Sequence, residues 1–64
     1  TSLAGLFRRE AGQVRAQIAR LRDCPLFRFP AIEALLAAHE GGRADHAATI
    51  WLLLVFEGFL AAES

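Results

Sequence analysis

The sequence predicts an all-α fold of three helices, over residues 3–22, 30–40 and 45–62. Three observations predict it. Apolar residues recur at helical spacing through the first third of the chain, prolines and glycines punctuate it at Pro25, Pro30 and Gly41-Gly42, and no run alternates apolar with polar residues as a half-buried strand does.

The first helix follows Ser2, a residue type that caps helix N-termini. Phe7, Ala11, Val14, Ile18 and Leu21 are spaced by four, three, four and three residues, which makes one continuous apolar stripe. Arg8, Arg9, Arg15, Arg20 and Arg22 fall mostly outside it. Gly5 and Gly12 each weaken the helix by roughly 1 kcal/mol relative to alanine, so the first turn is expected to fray. Cys24-Pro25 ends the helix, because proline disfavours the α conformation of the residue before it.

After the short apolar connection LFRFP, Pro30 suits the first turn of a second helix. Ile32, Leu35, Leu36 and His39 lie on one side of it, and Gly41-Gly42 stops it. Asp45 is the natural N-cap of the third helix, with Arg43 as an alternative start one turn earlier. The third helix contains the stretch the rest of the chain must serve, TIWLLLVFEGFL from Thr49 to Leu60. Seven consecutive apolar residues, Ile50 to Phe56, leave it no polar face, and two single-stripe helices cannot surround it. Ile50, Trp51, Leu53, Leu54, Phe56 and Phe59 are therefore core or interface candidates, and a buried Trp51 would make its loss among the costliest changes.

A chain of 64 residues is one domain at most, and a domain of that size buries only about 60% of its unfolded surface. Small scaffolds are usually supported by disulfides, a metal or association. The lone Cys24 leaves association and favours a reducing, cytoplasmic setting. Formal charge is zero but unevenly spread. Residues 1–28 hold six arginines against Glu10 and Asp23, a balance of +4, and residues 29–64 hold Arg43 against Glu33, Glu40, Asp45, Glu57 and Glu63, a balance of −4. That describes a basic helix across an acidic pair rather than a nucleic-acid binder, since the basic stretch lacks interleaved stacking aromatics. A membrane span needs about 20 apolar residues, and the run from Ile50 meets Glu57 after seven. Phe7 is followed at once by Arg8, Arg9 and Glu10, unlike a signal peptide.

Chemistry-bearing residues are few. Cys24, His39 and His46 match no zinc-ligand spacing; His39 reads as a helix-end residue half packed on the core and His46 as solvent-facing. Glu57 is the one charge inside the apolar helix and needs a partner, for which the first helix offers arginines. No lysine and no glycine-rich phosphate loop occur, and Ser2, Thr49 and Ser64 have no base at a recognisable spacing. No catalytic, cofactor-binding or metal residue is assigned; Arg43, Asp45 and Glu57 are structural candidates.

From Leu26 onward, over a little more than half the chain, the residue order resembles the C-terminal end of the asparagine synthetase family. Members commonly finish with paired leucines, a helix-end histidine, a Gly-Arg turn, an Asp-His pair, and a last helix with a leucine-tryptophan pair, two leucines and a glutamate. Here these stand as Leu35-Leu36, His39, Gly42-Arg43, Asp45-His46, Ile50-Trp51, Leu53-Leu54 and Glu57. Ile50 replaces the usual leucine, Phe59 stands where tryptophan is typical, and Gly58 interrupts the helix. The basic first helix resembles that of the branch that closes lasso peptides.

The resemblance implies the C-terminal helical segment of a larger α/β synthetase domain of the ATP-pyrophosphatase type. Such an enzyme adenylates a carboxylate and transfers an amine to it, either in asparagine synthesis or in macrolactam closure. ATP and magnesium are implied for the parent enzyme and not for this segment, because the SGG-x-DS loop, the substrate residues and the glutaminase cysteine have no counterpart here. The expected partner is the rest of the synthetase domain. The competing expectation is an independent helical module without catalysis, self-associating as a two-fold dimer through the third helix.

Overall fold

A computed structural model describes residues 2–63. Ser2 caps the first helix as its residue type suggests, its Oγ accepting the Gly5 N–H at 3.0 Å. The helix that follows is short. It runs over Leu3–Arg9 (α1) and gives way at Glu10, whose φ of −102° and ψ of 32° lie outside the helical basin, before a second helix occupies Ala11–Ile18 (α2). The chain then tightens into a 3₁₀ turn at Ala19–Leu21. The third helix spans Phe29–Glu40 (α3) and the last Ala47–Glu63 (α4).

The expected single helix over 3–22 is thus two helices and a turn, and the described residues form four α-helices rather than three. Periodicity held while continuity did not. Phe7, Val14, Ile18 and Leu21 are all buried as the stripe requires, but α1 packs on both α3 and α4 whereas α2 packs on α4. A straight rod could not follow both directions. Weak local propensity around Gly12 lets the backbone bend at Glu10 with the hydrogen bonds from Glu10 N–H to Leu6 and from Val14 N–H to the Glu10 carbonyl intact.

The core gathers Phe7, Val14, Ile18 and Leu21 against Ile32 and Leu36 of α3 and Ile50 and Leu53 of α4. Arginines of the basic stretch bind the rest of the chain at its margins. Arg15 grips both carboxylate oxygens of Glu40 at 2.6 and 3.1 Å, tying α2 to α3, and this hydrogen-bonded pairing raises the Arg15 pKa above its ordinary value. Arg22 lies over the Phe29 ring with its guanidinium carbon 5.1 Å from the centroid.

α4 is covered on one side only. Ile50, Leu53 and Glu57 are buried, yet Trp51 is 52% exposed, Leu52 66%, Val55 50% and Phe59 62%. The indole of Trp51, a core or interface candidate by sequence, is on the surface and not in the core, because the bent N-terminal helices reach only the Ile50 face. We therefore expect Ile18→Ala, at a fully buried position, to cost about 2–5 kcal/mol, against a clearly smaller loss for Trp51→Ala, as read by urea denaturation of dilute protein. Equal losses would contradict this placement of Trp51.

Candidate functional site

α3 ends in a Schellman motif. Gly42 adopts a φ of 76°, a left-handed conformation that glycine accepts without penalty, and this returns the Gly42 N–H to the His39 carbonyl at 3.1 Å and the Arg43 N–H to Ala38 at 3.0 Å. The motif turns the chain toward α4. Arg43 consequently belongs to the end of α3 and does not begin the next helix.

His39, in the last turn of α3, is completely buried rather than half packed, and both ring nitrogens are engaged. Nδ1 accepts the His46 N–H at 3.0 Å, which leaves Nε2 as the donor to the Ala4 carbonyl, also at 3.0 Å. One imidazole thereby joins α1, α3 and the entry to α4. The Phe7 ring meets it edge-on at 6.5 Å, and Arg8 of α1 donates from Nε to the His39 carbonyl at 2.8 Å, placing a cation at the negative end of α3.

The entry to α4 is one residue later than expected. His46 stands at the cap position, its carbonyl accepting the Ile50 N–H at 2.9 Å, while Asp45 Oδ1 accepts the Ala47 N–H at 3.0 Å from one residue further out. Asp45 therefore satisfies an orphan helix donor without being the residue at the boundary. His46 itself is half-buried, not solvent-facing. Of the residues weighed as metal ligands, His39 and His46 come together through the backbone and Cys24 does not join them. Among the described residues no cluster of His, Cys, Asp or Glu is arranged to hold a metal.

Glu57 is 5% exposed on the inner side of α4, and Arg20 approaches its carboxylate at 3.6 Å. The arginine is 71% exposed, so solvent weakens the pair. Gln17 adds a bond from Nε2 to the Leu54 carbonyl at 3.4 Å. These groups line a polar cleft between α2 and α4. The remaining candidates divide by side: Ile50 and Leu53 in the core, Leu54 and Phe56 half-buried, Trp51 and Phe59 on the outer face.

Beside that outer face runs an apolar groove of about 470 Å³ walled by Phe27, Leu52, Phe56 and Phe59. Phe27 was not among the sequence candidates. Its ring meets Phe56 edge-on at 5.4 Å, and the signal for it was the aromatic pair in LFRFP, which looked like mere connection. Among the described residues no helix is long and apolar enough to cross a membrane. No family model, no curated protein and no solved structure matches the chain.

Two substitutions test the joint. His39→Phe keeps a ring but leaves the His46 N–H without its acceptor and takes a second donor from the Ala4 carbonyl, and we expect a loss of about 1–3 kcal/mol in chemical denaturation. Unchanged stability would mean that ring volume, not hydrogen bonding, matters there. Asp45→Ala should cost about 1 kcal/mol and Asp45→Asn much less, since the amide oxygen still accepts from Ala47; thermal melts that fall equally would point to the charge instead.

Proposed function

We propose that this chain is a structural C-terminal helical segment of an ATP-dependent, asparagine synthetase-like enzyme that activates a carboxylate by adenylation and forms an amide, in asparagine synthesis or lasso-type closure. The observation that carries the reading is the joint between α3 and α4. The residues in the family-like order, His39, Gly42-Arg43 and Asp45-His46, are the ones whose side chains or backbone build that joint. Spacing of that kind answers to a structural need. On this reading the segment packs against the rest of the synthetase domain in the cytoplasm, supplies no catalytic group, and leaves ATP and magnesium to the parent enzyme.

A second reading, an independent helical interaction module, is favoured by the uncovered side of α4. The DNA upstream of Thr1 separates the two. The synthetase reading expects an in-frame SGG-x-DS loop, and a start codon close to Thr1 with no such loop overturns it. The same reading expects calorimetric titration of the 64-residue chain with ATP and magnesium to give no saturable heat, because the sequence carries no glycine-rich phosphate motif. Binding at micromolar ATP would refute the assignment of this segment as non-catalytic.

A further inference from the structure

At 3.6 residues per turn, α4 carries a face centred on Val55 and extending about 60° to either side. Ala48, Trp51, Leu52, Gly58, Phe59 and Ala62 occupy it with Val55, all are exposed, and none is charged. Ala48, Leu52, Val55, Phe59 and Ala62 repeat at steps of four, three, four and three, the spacing of a helix-pairing seam. Gly58 is unexplained within the chain. It weakens the middle of the helix by roughly 1 kcal/mol relative to alanine, yet a Cβ added there would meet nothing within 4 Å.

We propose that this face pairs with the same face of a second copy of the chain, the two α4 helices antiparallel about a two-fold axis at Val55. The axis reverses height along the helix and keeps each residue on its own side of the seam, so the largest side chain on the face, Trp51, four residues before Val55, lies over the partner's Gly58, three after it on the same side, where no side chain obstructs it. Leu52 meets the partner's Phe59, which enters the groove beside Phe27 and Phe56. Ala48 meets the partner's Ala62. The match of largest to smallest arises only in this register, and self-complementarity of that kind is what a two-fold interface requires.

Charge selects the same direction. α4 has no basic residue in its last turn and ends at exposed Glu63, an acid at the negative end of its own dipole. Antiparallel pairing sets Glu63 beside the positive N-terminal end of the partner's α4, close to the partner's Arg43 and Asp45, whereas parallel pairing sets Glu63 against its own copy. The proposal stands on α4 and the residues beside its outer face and does not depend on which protein the segment completes.

Sedimentation equilibrium of the 64-residue chain across a hundredfold concentration range should show a single monomer–dimer equilibrium. Gly58→Leu should melt no lower than the parent when dilute, since it replaces a helix-weakening residue in open space, yet should weaken dimerisation by about a hundredfold or more through collision with the partner's Trp51. In a Cys24→Ser background, oxidised Val55→Cys should cross-link across the axis while Ala48→Cys should not cross-link to itself. A folded monomer at the highest concentration overturns the proposal and gives the face to another part of a longer chain or to a different protein. A Gly58→Leu variant that dimerises like the parent, or Ala48→Cys cross-linking as readily as Val55→Cys, refutes the antiparallel register.

Discussion

The buried imidazole of His39 is the constraint on which the arrangement of the helices depends. Helix ends leave amides and carbonyls without intrahelical partners, and in a chain this small several of those ends meet in one place. His39 takes the His46 N–H at Nδ1 and the Ala4 carbonyl at Nε2, while its own carbonyl receives Arg8 and Gly42. A single residue thus satisfies polar groups from α1, from the end of α3 and from the start of α4. Because hydrogen bonds are directional, they fix how these elements approach, which apolar packing alone would leave looser. The bend at Glu10 follows from it: once Ala4 and Arg8 are held at the end of α3, the chain must turn before it can lay Val14 and Ile18 along α4.

That geometry explains which features were legible in the sequence. The stripe from Phe7 to Leu21 gave the buried face of the first segment correctly because burial depends on local periodicity. The break within it was not visible, since no proline or left-handed residue marks Glu10 and the cause is the docking of Ala4 and Arg8 on a histidine more than thirty positions away. The second helix was bounded to within one residue by Pro30 and Gly41-Gly42. Asp45 was rightly singled out for the amide it accepts. The boundary shifted because His46 donates its own N–H to His39, a bond across the turn between α3 and α4 that spacing does not reveal.

The environment of Trp51 was the least legible part. A continuous apolar run announces that covering is needed without saying which residues receive it, and seven apolar residues in a row have no preferred side by pattern alone. Glu57 breaks that symmetry in the structure: the helix turns this carboxylate inward, where Arg20 of the first segment reaches it as its need for a partner suggested, and turns its largest aromatic residue outward.

Such an orientation has an energetic implication. Rotating α4 by half a turn would expose Glu57 to water and exchange Ile50 and Leu53 for Trp51, Leu52 and Val55 on the core, apolar area counting at roughly 25 cal/mol per Å² either way. The inner face that α4 does use, Ile50 and Leu53, fits against Ile18 and Leu21 with those two nearly without exposure, so the core discriminates by shape and not by total hydrophobicity. An isolated monomer is left with a contiguous apolar surface of the kind that marks interaction sites. The inward carboxylate and the outward tryptophan are therefore one arrangement: the turn of α4 that brings Glu57 within reach of Arg20 leaves the opposite side of the same helix, with Trp51, exposed.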